Sequence, residues 1–139
     1  MSYMFAGFFA TPILQKPDQL PERSVWRVIE TPFQGVGISL PFLEGKVPVL
    51  ANIMALFTEL GLDAAESWMY INYDCWAGEI DWVYGLGRHA GQTFGAFDED
   101  TTSRTQETYL ALMEAFGVSA EDALNFAPFA RGYWENGGE

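Results

Sequence analysis

Residues 67 to 87, SWMYINYDCWAGEIDWVYGLG, read as two β-strands joined at Ala77-Gly78. Val, Ile, Tyr and Trp are dense in this stretch, and glycine stands at the turn. Pairing Cys75 with Ile80 is compatible with a two-residue or a four-residue loop. In that register one face carries Met69, Ile71, Tyr73, Cys75, Ile80, Trp82, Tyr84 and Leu86. The other carries Tyr70, Asn72, Asp74, Trp76, Glu79, Asp81 and Val83. The period of two separates apolar from acidic residues.

The flanking segments extend the pattern on both sides. Residues 2 to 10 predict a strand, residues 11 to 23 a proline-rich loop, and residues 24 to 31 and 33 to 40 two further strands. Gly35 and Gly37 in the third strand imply a bulge or a close backbone approach. VPVLANIMALFTELG predicts a helix over about 47–60, apolar nearly all round and therefore buried, ended by Gly61. D-A-A-E from Asp63 reads as a capping box for one further turn.

Beyond the hairpin, GLGRHAGQTFGAF predicts a loop with a short strand at 92 to 97. A second main helix is predicted over about 103–116, capped by Ser103 with Gln106, or by Thr101 or Thr102. Its stripe is Tyr109, Leu112, Met113 and Phe116, and Gly117 ends it. A short helix capped by Ser119 follows, and a tail with Phe129, Tyr133 and Trp134 should pack. ALFTELGLDAAE and ALMEAFGVSAED repeat one grammar of helix, glycine stop and cap, which convergence explains as well as duplication does. The expected fold is α+β: a mainly antiparallel sheet of about five to six strands, with the two main helices packed on one face of a single globular domain, 1–139.

Composition bounds the function. Hydrophobic residues make up 49% and aromatics 16%, which excludes disorder. One cysteine excludes an intramolecular disulfide and a Cys-rich metal site. The N-terminal stretch has no basic residue before Lys16 and is broken by Gly7 and Pro12, unlike a secretory signal. No apolar run reaches the roughly 18 residues of a membrane span, and a cytoplasmic location is expected. The net charge is −12. Residues 1 to 46 are balanced, and residues 47 to 139 hold fifteen acids against Arg88, Arg104 and Arg131. Such a field repels nucleic acid and anionic membrane and draws in a basic protein partner, although acidity also serves solubility alone.

Candidate chemistry centres on the polar hairpin face. Asp74 directly opposite Asp81, with Glu79 diagonal, costs up to about 1 kcal/mol unless something compensates it. A bound cation or a partner's Lys or Arg would do so, as would a proton shared between the carboxylates, and a different register would remove the clash. Tyr70 and Trp76 beside the acids resemble interface anchors. The expected partner-binding set is Tyr70, Asn72, Asp74, Trp76, Glu79 and Asp81.

No other motif carries chemistry. Cys75 falls on the apolar face, which argues against a Cys75–His89 nucleophile pair. His89 beside Arg88 could bind an anion or simply be solvated. GLGRHA imitates a dinucleotide fingerprint but does not open a helix. Asp98, Asp100 and Thr102 begin like a calcium loop, but Ser103 and Tyr109 stand where glycine and an acid are needed. The acids at 98 to 100 instead suit the N-terminus of the following helix. No catalytic residue, cofactor or metal is assigned.

The leading reading is an acidic protein-binding module, an inhibitor or immunity-type protein that neutralises a basic partner such as a nuclease or toxin. The alternatives are a small enzyme or small-ligand domain with a carboxylate in an aromatic pocket lined by Trp68, Trp82 or Tyr84, and a structural subunit of an assembly. A homodimer, with the N-terminal strand pairing with a second copy, stays open.

Overall fold

The computed structural model describes residues 2–41, 49–76, 79–129 and 133–134. Six strands are β1 (Ser2–Thr11), β2 (Val25–Ile29), β3 (Gly35–Leu40), β4 (Ser67–Trp76), β5 (Glu79–His89) and β6 (Gln92–Glu99). Three helices are α1 (Leu50–Glu59), α2 (Thr102–Ala115) and α3 (Ala120–Leu124). All strand pairs are antiparallel, in the order β2-β3-β1-β4-β5-β6. The fold is α+β. The Ala77-Gly78 turn, the Glu44-Gly45 turn and the start of the first predicted helix lie outside the described residues.

β1 is central because its sequence is apolar on both faces. Phe8 pairs with Ile38 on one side and with Tyr70 on the other. The N-terminal strand thus pairs within its own chain, with β4 from Ser2 to Thr11 and with β3 from Ala6 to Ala10.

The sheet has a core on each face. On the first, Phe5, Phe9, Met69, Ile71 and Val83 pack against Tyr109, Leu112, Met113 and Phe116 of α2 and Ala123 of α3. On the second, Phe8, Ala10, Val36, Ile38 and Trp68 pack against Ile53 and Phe57 of α1. The two main helices therefore lie on opposite faces, not on one. The physical reason lies in β1 and β4, which carry large apolar side chains at odd and even positions alike. Leaving Phe8, Ile38 and Trp68 in water would forgo about 1.5–3 kcal/mol for each.

The all-round burial expected of α1 is also corrected. Ile53 and Phe57 are buried, while Leu50 remains 56% exposed. Gly61 and Gly117 stop α1 and α2 at positive φ, +74° and +100°, where a Cβ is disfavoured. The residues that follow, Leu62 and Val118, turn back into the two cores. α2 starts after Thr101, whose side chain makes no cap bond, whereas Ser119 Oγ caps α3 by accepting from Asp122 N at 3.2 Å.

The predicted glycine-rich loop at 85 to 97 is strand almost throughout. Gly85 and Gly87 face α2 and β6 inside β5, and a Cβ on Gly85 would stand 2.5 Å from Leu112 Cδ2. These glycines permit close approach and do not mark a loop. The turn is only Ala90-Gly91, both at positive φ, as a two-residue hairpin loop of the primed type requires.

The tail packs. Trp134 lies against Phe5, ring centroids 5.4 Å apart, and donates from Nε1 to the Pro128 carbonyl at 2.8 Å. Arg27 of edge strand β2 donates to the Tyr133 carbonyl at 2.6 Å and lies 4.2 Å over the Tyr133 ring.

Candidate functional site

The β4–β5 hairpin pairs Cys75 with Ile80 and Trp76 with Glu79, as the sequence implies. The next pair is Asp74 with Trp82, because the ladder shifts between Asp74 and Cys75. Asp81 is the extra residue of a β-bulge and does not oppose Asp74. The bulge removes the direct like-charge pairing. It also exchanges the faces of β5 beyond it. Val83, Gly85 and Gly87 turn towards α2, and Trp82, Tyr84 and Leu86 join Tyr70, Asn72 and Asp74 on the opposite face.

Pairing of β5 with β6 sets Tyr84 opposite Asp98 and Val83 opposite Glu99. Asp98, Glu99 and Asp100 consequently lie at the same end of the sheet as Asp74, Glu79 and Asp81. Five carboxylates from three adjacent strands, with Asp100 just past the end of β6, lie at this corner. The Trp82 indole, half-buried between Asp74 and β6, donates from Nε1 to Asp98 Oδ1 at 2.8 Å. Glu99 Oε2 accepts from Thr101 N at 3.1 Å, which holds the start of α2 beside the corner. Thr105 Oγ1 donates to the Ile80 carbonyl at 2.6 Å, pinning the first turn of α2 to the hairpin. Among the described residues no ion pair neutralises Glu79, Asp81, Asp98, Glu99 or Asp100, and Arg104, one turn into α2, pairs with none of them.

The expected partner-binding residues divide. Glu79 is exposed, and Asp74 and Asp81 are half-buried at the corner. Tyr70 is not a surface anchor: it is 7% exposed, packed edge-on against Phe8 at 5.1 Å. Burial, reinforced by the neighbouring Tyr84 hydroxyl, pushes the Tyr70 hydroxyl up to about 12, and the hydrogen bond with Asn72 opposes that shift. Asn72 is 3% exposed, and its Oδ1 has no hydrogen-bond partner. The Trp76 side chain lies outside the described residues. Tyr84 is raised by burial and then by Asp98.

The acids of β6 and the indole of Trp82 were not legible as parts of this site. A helix start explains 98 to 100 without a site, and the unbulged register sends Trp82 to the other face. The signal available was the run Asp98-Glu99-Asp100 at the end of a second hairpin, readable only once 85 to 97 is taken as strand.

The remaining candidates separate. Cys75 pairs with Ile80 near one end of β5 and His89 with Gln92 at the other, so they form no pair. His89 Nδ1 instead lies 3.0 Å from the buried Ser67 hydroxyl. GLGRHA is strand and turn. Trp68 is buried and packs against Phe57, ring centroids 4.6 Å apart. A cavity of about 320 Å3 does open on the other face, between Tyr73, Tyr109 and the segment from Ala123 to Phe129, and among the described residues no carboxylate side chain lines it. Among the described residues no three His, Cys, Asp or Glu side chains converge as metal ligands, and no helix is long and apolar enough to cross a membrane.

No family model, curated protein or solved structure matches this chain.

Proposed function

We propose that the protein is an acidic protein-binding module, an inhibitor or immunity-type protein of the cytoplasm, whose carboxylate corner neutralises a basic partner such as a nuclease or toxin. The observation that carries this reading is the corner itself. Asp74, Glu79, Asp81, Asp98 and Glu99 come from β4, β5 and the end of β6, Asp100 follows β6, and the last five of the six have no ion-pair partner among the described residues. Uncompensated like charges at one place cost stability, and a cationic surface docked there offsets that cost. Trp82, half-buried and held by Asp98, supplies an aromatic group amid the charge, as interface anchors do. In this reading Tyr70 and Asn72 support the corner from within the sheet.

The test is an affinity capture from lysate of the source cell with the tagged full chain, at low and at high salt. A stoichiometric basic protein, weakened at high salt, is expected. The triple variant Asp74→Asn, Asp81→Asn, Asp98→Asn should fold and release it. Capture unchanged by the triple variant would overturn the assignment.

A further inference from the structure

Resting on the reading of the acidic corner as a docking surface, we propose that the corner takes a lysine side chain of its basic partner. The ammonium sits on the β4–β5 face among Asn72, Tyr84 and Trp82, with Asn72 Oδ1 as its innermost acceptor.

Among the described residues, Asn72 Oδ1 is the one buried side-chain nitrogen or oxygen without a hydrogen-bond partner, and the residue is 3% exposed. An unpaired buried acceptor is costly, and an apolar side chain of the same size would avoid that cost. Asn72 stands opposite Ala6 of β1 and Tyr84 of β5, on the same face as Tyr70 and Asp74 of its own strand. Its place is therefore the inner end of the aromatic and acidic group that reaches the corner.

The unpaired atom selects a donor. Burial raises the Tyr70 hydroxyl, Tyr84 adds to the shift, and the hydrogen bond with Asn72 opposes both. That sign belongs to an amide N–H donated to the phenol oxygen, since such a bond favours the charged form. Nδ2 is thus spent on Tyr70, and Oδ1 is left over. The Tyr70 and Tyr84 hydroxyls can donate or accept and do not discriminate between ligands, whereas the carboxylates of Asp74 and Asp98 only accept.

Rings and charge lead outward from Asn72. Tyr84 lies opposite Asp98, and Asp74 opposite Trp82, so all four share this face. The Trp82 and Tyr84 rings stand 6.3 Å apart, tilted by 39°, and the Trp82 bond to Asp98 holds the indole beside the carboxylate. Asp98 is exposed, and Asp74 and Trp82 are half-buried, which puts the acids at the rim and the amide oxygen at the floor. A floor so nearly closed admits a compact head on a thin stem. Lysine has one: three donors on a flexible four-carbon chain, whose ammonium is also attracted by ring faces.

The experiment is a titration of the isotope-labelled full chain at low salt with capped Gly-Lys-Gly, and with capped Gly-norleucine-Gly, which lacks the ammonium. The readouts are the Asn72 side-chain amide, the Trp82 indole N–H and the backbone amides of the corner. Saturable shifts of Asn72 and Trp82 are expected with the lysine peptide, and binding weaker by about tenfold with the norleucine peptide. Asn72→Leu should melt no lower than the parent, because it removes an unpaired polar atom, and should bind the lysine peptide about tenfold more weakly. Asn72→Asp places a charged acceptor at the same point; it should bind the lysine peptide at least as tightly as the parent, and it carries the test if the leucine variant misfolds. Shifts confined to Glu79, Asp81 and Glu99, or unchanged binding by Asn72→Leu, would overturn this seat and leave the corner as a surface for a basic partner. No response at any corner residue would count against both.

Discussion

The Trp82 indole nitrogen and Asp98 Oδ1 are 2.8 Å apart, joining adjacent strands β5 and β6 at the acidic end of the sheet. The bond lies at the surface, where water competes, and a charged acceptor strengthens it. Trp82→Phe should therefore cost only about 1 kcal/mol of stability. Asp98→Asn should cost less, because an amide oxygen still accepts. Denaturant melts of both single variants and the double variant test the pair: a double variant equal to the sum of the singles would show that the two residues do not act together.

Gly7, in the middle of β1, has no room for a side chain. A Cβ there would overlap the Ile38 backbone oxygen and reach within 2.9 Å of the Phe5 ring. Neither the paired strand nor the buried ring can withdraw without breaking the ladder. Gly7→Ala should destabilise by about 3 kcal/mol or more, at the upper end of overpacking costs. Gly61→Ala meets nothing within 4 Å but must hold φ near +74°, so its cost should be about 1 kcal/mol. Melting curves that rank these two substitutions the other way would contradict the packing of β1 against β3.

Tyr109 anchors α2 to α3 by donating from its buried hydroxyl to the Ala123 carbonyl at 2.7 Å. Tyr109→Phe keeps the ring contacts with Tyr73 and Phe129 and strands that carbonyl. A loss of about 1–3 kcal/mol is expected. Hydrogen exchange should show faster opening of residues 119 to 126, while amides of β1 and β3 stay protected. Uniform acceleration across the sheet would mean that the hydroxyl does not serve this junction.

Alkali should unfold the protein through its buried tyrosines. Burial raises the hydroxyls of Tyr70, to about 12, and of Tyr109 and Tyr84 above the ordinary value near 10. Below pH 10 all are neutral in both states, and the stability they contribute is fully present. Above it the unfolded chain releases protons that the folded chain retains, so stability falls as pH rises, by up to about 1.4 kcal/mol per pH unit for each tyrosine. Thermal melts from about pH 8 to about pH 11 should show this decline, smaller in Tyr70→Phe. A melting temperature flat across that range would contradict the burial of these hydroxyls.

The sequence by itself determined most of the element types and the helix stops, because these depend on neighbours along the chain. Alternation marked β4 and β5, the Tyr109–Leu112–Met113–Phe116 stripe marked α2, and Gly61 and Gly117 marked where helices end. The supposed Cys75–Ile80 pairing is the one that forms. Only the tertiary structure decided which face each element serves. One bulged residue, Asp81, reverses the sides of Trp82 and Val83, since a strand's period is two and a single insertion exchanges its faces. Gly85 and Gly87 belong to a strand because Leu112 and β6 press against them, a contact no local rule contains. α1 lies opposite α2 because β1 and β4 are apolar on both sides and each face must be covered. The acidic corner and the Tyr73–Tyr109 cavity are both products of that packing: they join residues distant in the chain, and local periodicity carries no record of such meetings.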